Sequence, residues 1–406
     1  MALLTGSPVV GGMTTNQAKV IIRTDAAASS VVIEYDTDRN FSNPVATNGV
    51  PTVAASDFTA TIVLANLTAD TRYYYRVKVD NVIQDPGVVL RFDTFPASGN
   101  FTFAVFADVA PVDRDATAYV SAGSEDPLFA VQLGDLDHRD PTTLSEMRQM
   151  HKDMRDRSKL HGADFVNRIL SKRALVHVWD DHDYGGNDED KNFPGREDAW
   201  QAFDEYYPTY ARPNPSNGLW HKFTCADAEF FVLDLRSQRD DNTDPDNDLK
   251  SILDGDSIPL DQKNWLLDGL KGSTAKWKFI LSSVTFNNDA RPLSTDLWHS
   301  FTNEAKDIGK WLSKQHISDV IVLSGDIHTG GGIDDGTNSL IDIPEMTVAH
   351  TNLADGNRNN LGTWSEGITA GAPNGAGYSM VTVTANSVTL TTKAANGTIR
   401  HSYTIT

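Results

Sequence analysis

The chain is nearly without cysteine. A single Cys225 among 406 residues excludes an internal disulfide and any cysteine-rich zinc module, and it leaves the redox compartment open. Long apolar runs are missing too. None approaches the ~18 residues that cross a bilayer, so no transmembrane segment is expected. The start, MALLTGSPVV, has no charged region followed by a long apolar stretch. The expectation is a soluble chain, or the mature form of an exported one, with no signal peptide visible. Positive charge is the third shortage. Thirty-five Lys and Arg stand against 55 Asp and Glu, giving a net charge of −20. Such a surface repels polyanions at long range, so non-specific nucleic-acid binding is not expected. No internal repeat or low-complexity segment is present.

What is present is globular. Hydrophobic residues make up 39% and charged residues 22%, and the length exceeds one simple core, which suggests two or three domains. Residues 1–97 read as all-β. KVIIRTD, SVVIEYDT, FTATIVL, YYYRVKV and LRFDTF are short β-rich runs separated by Asn, Asp, Gly and Pro turns, a spacing that suits a small antiparallel sandwich. LTADTRYYYRV (Leu67 to Val77) resembles a fibronectin-type-III strand and its preceding turn, with a tyrosine packing the corner. DTFPASGN then reads as a linker. From residue 98 to 406 the pattern changes to buried strands alternating with helices. FTFAVFAD, LFAVQLGDLDH, RALVHVWDDHD, AEFFVLDLRSQR, KWKFILSSVTFNN and SDVIVLSGDIH are the strands. The stretches TLSEMRQMHKDMRDRSKLHGADFVNRIL and SFTNEAKDIGKWLSKQHI read as helical. This predicts an α/β domain whose strands are covered on both faces, with a C-terminal group of period-two strands closing a second sheet.

Ligands of α/β sheets bind at the carboxyl ends of the strands. Here those ends carry Asp108, then Asp135, Asp137 and His138, then Asp180 to Asp183, then Asp234 with Arg236, and finally Asp326 with His328. One acidic turn is ordinary, because turns favour Asp. Five converging sets would repel one another by several kcal/mol unless a cation lies between them. Carboxylate and imidazole together suit Zn, Mn, Fe or Ca, and two such ions sharing a carboxylate can clamp a phosphate. Two or more metal ions are therefore expected.

LGDLDHRD, WDDHD, LDLRSQR and SGDIH, in that order, resemble the PhoD-like branch of the metallophosphoesterases. DQKNWLLDGLKGSTAKWKFILSS adds that family's helix and strand before the last motif. DLWHSFTNEA (Asp296 to Ala305) resembles its Trp-Asp-Gly-Tyr segment in altered form. The resemblance implies an N-terminal fibronectin-III-like sandwich and a metallophosphoesterase β-sheet sandwich flanked by helices. It also implies hydrolysis of phosphate monoesters or diesters as in alkaline phosphatases, a metal-bound hydroxide attacking phosphorus in line. Phospholipase-D-like headgroup cleavage belongs to the same branch. On this resemblance Asp135 bridges the metals, and Asp108, His138, Asp181, Asp326 and His328 are the further ligands. His182 is the proton donor or phosphate partner, and Arg236 and Arg239 bind phosphate through forked hydrogen bonds. An extracytoplasmic location is implied as well. Two positions depart from the family. Asp108 stands where PhoD-like enzymes usually have a cysteine, and His138 where they have a tyrosine; without thiolate and phenolate nothing enforces ferric iron.

Plainer readings stand beside these. Asp108, Asp137, Asp183 and Asp188 also suit helix caps or turns, His138 a loop hydrogen bond, Asp234 a structural role, and Arg236 and Arg239 the neutralisation of the acids. His151, His161, His177, His221, His299, His316, His350 and His401 read as surface or core, and Trp179 and Trp265 as packing. RDDNTDPDNDLKSILDGD (Arg239 to Asp256) reads as a solvated excursion without the complete EF-hand pattern. A rival of another class is a non-catalytic, calcium-dependent binding protein that has kept the fold.

Overall fold

The computed structural model describes residues 2–111, 114, 116–255, 261–292, 294–353, 362–367 and 375–406. The N-terminal region forms two antiparallel sheets. One orders Val9–Gly11, Gln17–Arg23 and Thr59–Ala65; the other is built on Ala28–Asp36 paired with Arg72–Val79, which Leu90–Asp93 extends. Alternation makes the sandwich: Tyr73, Tyr75, Val77 and Val79 point inward and their neighbours outward. The expected tyrosine corner is there. The Thr68 N–H donates to the Tyr73 hydroxyl at 2.9 Å, and the Tyr73 ring stacks on Phe92.

After the linker, two larger sheets face each other. The first orders Ala174–Val178, Phe129–Leu133, Phe101–Phe106, Gly377–Val383, Val388–Ala394 and Ile399–Ile405, with the first three parallel, so the C-terminal strands extend this sheet by pairing with Phe101–Phe106 and do not close the second. The second centres on the parallel strands Ala228–Val232, Trp277–Ser282, Val320–Ser324 and Glu345–Thr347. Between them lies an aromatic layer in which Phe103 stacks on Phe129 at 4.8 Å and Phe230 on Phe279 at 4.8 Å. Outside, Thr117–Ser124, Leu144–Asp153, Leu160–Phe165 and Arg196–Tyr206 cover the first sheet. Gln262–Gly272 and Thr302–Lys314 cover the second. The central strands are thus buried on both faces, which is why they read as unbroken apolar runs. The inner core continues into the sandwich through Val10, Val20 and Phe95, the last 5.1 Å from the Phe129 ring.

Two local expectations need correction. Residues 143–170 are not one helix. A capping box between Thr143 and Glu146 starts a helix that ends at Asp153. The Asp156 carboxylate then accepts the Ser158 N–H at 2.8 Å and turns the chain before Leu160. The Arg239–Asp256 segment is not simply solvated either. Residues 243–249 are exposed, but Ile252 and Leu253 join the outer core. Lys250 Nζ donates to the carbonyls of Asn242 and Asp244 at 2.8 Å each, so its ammonium ties that loop together. Asp256 lies outside the described residues.

Candidate metal centre

Each candidate side chain is delivered by the end of a buried strand. Phe101–Phe106 runs into Asp108, Phe129–Leu133 into Asp135, Ala174–Val178 into Asp180 to His182, and Val320–Ser324 into Asp326 and His328. Asp108, Asp135, Asp326 and His328 all adopt left-handed backbone, with φ of 51°, 52°, 53° and 51°. L-residues rarely sit there, and the conformation persists only where packing over-determines it. Such packing is visible at Gly134, where a Cβ would lie 2.4 Å from Asp180 Cβ. At Gly325 it would lie 2.6 Å from the Leu133 carbonyl oxygen. The strand ends are therefore pressed together as a set.

Ligand atoms of Asp108, Asp135, Asp326 and His328 lie within 4.8 Å of one another. Asp135 belongs to two further groups of this kind, with His138 and His328 and with Asp181 and His182. Both oxygens of Asp108 and Asp135, Oδ2 of Asp326, and Nε2 of His138 and His328 are buried without a hydrogen-bond partner. His138 Nδ1 lies 2.8 Å from the Val109 carbonyl, to which it donates. This leaves the Nε2 lone pair facing Asp135 Oδ2 at 3.3 Å. His328 Nε2 is 3.7 Å from Asp108 and 3.4 Å from Asp326. Buried carboxylate oxygens and imidazole nitrogens turned toward one another fit a cation, and a backbone carbonyl fixing the other ring nitrogen is how metal-binding histidines are oriented.

The electrostatics agree. Burial, and then Asp135 and Asp326, push the Asp108 carboxyl well above its ordinary range. Burial alone would lower His138, but the Asp135 and Asp108 carboxylates outweigh it and raise the imidazole to about 10. Burial likewise opposes a raised His182, yet Asp135 and Asp181 prevail, and its Nδ1 is hydrogen-bonded to Asp140. The His182 ring lies 4.3 Å from that of His138. Without a cation the site can keep its charges apart only by taking up protons.

The remaining candidates sort by their partners. Asp181 accepts the Asp188 N–H at 2.8 Å and lies 3.5 Å from Arg236. Asp183 accepts the N–H groups of Leu136 and Asp180, 3.0 Å each, and so pins two of the site's loops to one another. Asp137 turns to Arg139 at 2.9 Å. Asp234 accepts from Trp179 Nε1 and the Leu219 N–H at 2.9 Å and from Ser237 Oγ at 2.6 Å, a structural role. Arg236 and Arg239 turn toward carboxylates. Both are wholly buried. Arg236 forks onto Asp296 at 2.8 and 2.6 Å and meets Asp180, and Arg239 lies 3.0 Å from Asp296. The Arg236 guanidinium is taken up by carboxylates, whereas Arg239, beside Asp296, keeps Nε and Nη1 buried without a hydrogen-bond partner. Trp179 packs between Tyr184 and Phe203. His151, His177 and His221 are buried, and burial holds each below the ordinary imidazole range.

Sequence reasoning missed three residues. Asp296 forms a group with Asp181 and Asp188. It opens the DLWHSF segment, but only as the neighbour of a tryptophan. Asp140 holds His182. Arg291 is hydrogen-bonded to the Asp326 carboxylate, reaches its carbonyl at 2.7 Å, and remains 29% exposed. No motif marked it.

Residues 117–337 match the family model described as PhoD-like phosphatase, and residues 9–96 match that of the PhoD-like phosphatase N-terminal domain. Alkaline phosphatase D of Bacillus subtilis (strain 168) is 27% identical over 306 residues, covering 63% of this chain and 51% of the relative. The chain thus spans about half the length of that curated relative. A solved structure of PhoD, at 19% identity, superposes with a TM-score of 0.79 over 98% of this chain and 89% of its own. At that identity the likeness speaks for the fold.

Proposed function

The chain belongs to the PhoD-like phosphatase family, and from that premise we propose that it is a metal-dependent hydrolase of phosphate monoesters or diesters. The observation that carries this reading is Asp135, buried with both oxygens unpartnered and shared among three potential ligand groups. Asp108, Asp135, Asp326 and His328 would hold one ion, with His138 beside them. Asp135 and Asp181 would hold a second. Bound cations would neutralise the phosphate and acidify a water for in-line attack. The protein's own residues supply the rest. Asp140 holds His182 Nδ1, which leaves Nε2 to give a proton to the departing oxygen. Arg291, half-open beside Asp326, takes the phosphate-facing role expected of Arg236 and Arg239. Those two bind the side chains of Asp180, Asp181 and Asp296 and hold them in place.

Oxygen and imidazole donors without thiolate leave Zn, Mn, Fe and Ca as candidates. Division at residue 97 into sandwich and catalytic domain, and an extracytoplasmic location, belong to the same proposal. Among the described residues no helix is long and apolar enough to cross a membrane. Neither headgroup hydrolysis nor a non-catalytic calcium-dependent role has an observation that favours it over ester hydrolysis. The test is turnover of p-nitrophenyl phosphate and its bis-ester from pH 6 to 10, as purified, after chelation, and after add-back of each metal. Turnover that disappears with chelator and in Asp135→Asn, and falls in His182→Ala by about 10²-fold or more, supports the assignment. Absence of turnover with every metal, from a folded protein, refutes it.

A further inference from the structure

Four arginines are buried among the described residues: Arg155, Arg173, Arg236 and Arg239. Three of them meet a carboxylate, Arg173 on Asp126 at 3.1 Å, Arg236 on Asp296 at 2.6 Å and Arg239 on Asp296 at 3.0 Å. Arg155 does not. It is 4% exposed, and among the described residues no carboxylate lies within ion-pair distance of it. Its partners are neutral. It donates to the Tyr206 carbonyl and lies over the Tyr206 and Tyr207 rings at 4.7 and 5.5 Å. A guanidinium taken out of water without a counter-charge carries a large desolvation cost, which an anion placed beside it would offset.

A place for that anion exists. A cavity of about 270 Å³ opens on Arg155 and is lined also by Thr5, Arg23, Lys152, Asp156 and Tyr206. It is large enough for one tetrahedral oxyanion and several waters at roughly 30 Å³ each, and falls below the ~300 Å³ at which small-molecule pockets begin. Two of the cations are partly occupied, since Asp57 takes Arg23 at 3.1 Å and Lys152 at 3.4 Å. Asp156, the one acid in the lining, turns an oxygen to the Ser158 N–H at 2.8 Å. Positive charge therefore exceeds negative around this cavity in a chain of net charge −20.

We propose that this cavity binds a small dianionic oxyanion of the phosphate or sulfate type, held by Arg155 with Arg23, Lys152 and the Thr5 hydroxyl. The site lies between the N-terminal sandwich and the helix Leu144–Asp153 with the turn that follows it. The Ser7 N–H donates to the Arg155 carbonyl at 3.2 Å, and Gly6, in left-handed backbone at φ +64°, passes Arg155 Cβ at a distance a Cβ of its own would shorten to 3.3 Å. An anion here fastens the sandwich to the larger unit by charge-assisted hydrogen bonds. The inference is independent of the hydrolytic reading.

Equilibrium dialysis of radiolabelled inorganic phosphate against the metal-replete full chain tests it. Phosphate also binds at a metal centre, so Asp135→Asn is run in parallel. The expected result is a site that survives in Asp135→Asn, is displaced by sulfate, and weakens at least tenfold in Lys152→Met and in Arg23→Gln, whose turnover is unchanged. Arg155→Met abolishes it; should that variant fail to fold, the Lys152 and Arg23 variants decide. Binding in Asp135→Asn that is absent, or equal with and without Lys152 and Arg23, overturns the proposal.

Discussion

Glu345 gives the sharpest quantitative test of the packing behind the site. Its carboxyl is buried on the strand next to Val320–Ser324, whose end launches Asp326. Oε1 accepts from Ser324 Oγ at 2.6 Å, Thr285 Oγ1 at 3.0 Å and the Phe286 N–H at 2.9 Å, while Oε2 is buried without a partner. Burial pushes the group up to about 7 from 4.5. A raised folded-state value means the native carboxyl holds its proton more tightly than the unfolded one. Its contribution is therefore whole below pH 4.5 and is lost as pH rises through 7. At 1.36 kcal/mol per unit the full loss is about 3 kcal/mol, of which about 2 kcal/mol falls between pH 5.5 and 8.5. Glu345→Gln keeps the accepting oxygen and abolishes the titration. Its amide N–H₂ takes the place of the unpartnered oxygen, at a pH-independent cost of about 1–3 kcal/mol. The stability of the variant relative to wild type should accordingly improve by about 2 kcal/mol from pH 5.5 to 8.5. Guanidinium unfolding followed by tryptophan fluorescence measures this. Parallel pH profiles for the two proteins would show that the carboxyl does not titrate in the buried state and refute the reasoning.

Chelation should lower the thermal midpoint of wild type by several degrees, and metal add-back should restore it; in Asp108→Asn, which removes one like charge and one ligand, calorimetry should find a smaller response to both. Tyr73→Phe should cost about 1–2 kcal/mol in denaturant unfolding by leaving the Thr68 N–H without its acceptor, with kcat unchanged. Asp183→Ala should lower metal content, read by elemental analysis, because the Leu136 and Asp180 N–H groups lose the carboxylate that joins their loops. Unaltered metal stoichiometry in a folded Asp183→Ala would show that those loops are positioned by other contacts.

Much of this was legible in the chain. Continuous apolar runs ending in acids announce buried parallel strands, and strand ends in such sheets converge, so the ends carrying Asp108, Asp135 to His138, Asp180 to Asp183, Asp234 and Asp326 with His328 could be expected in one place; which of these residues hold metal was implied only by the family resemblance. Asp296, Asp140 and Arg291 could not be placed there. Asp140 closes the LGDLDHRD motif and Asp296 opens the DLWHSFTNEA segment, but nothing in either motif marks their partners, and Arg291 lies in no motif at all; all three sit on irregular segments whose course is set by tertiary packing. Arg236 and Arg239 show the opposite limit. Residue type and motif placed them at the site, but which way a guanidinium turns depends on Asp296, brought in from some sixty residues later in the chain. The break between Leu144–Asp153 and Leu160–Phe165 was hidden because a single side-chain turn at Asp156 overrode a strongly helical composition.

The left-handed backbone at Asp108, Asp135, Asp326 and His328 reaches beyond the present ligand set. That conformation is a filter on which amino acids the positions accept at all. Glycine enters freely and Asn or Asp at little cost, whereas a β-branched side chain meets its own carbonyl. A selection for altered metal preference would thus explore a short alphabet at these four positions, dominated by Asn, Asp, His and Gly. Its wider diversity would have to come from His138 and Asp181, which show no such backbone. The coordination chemistry open to descendants of this chain is bounded by its main-chain torsions before any metal is offered.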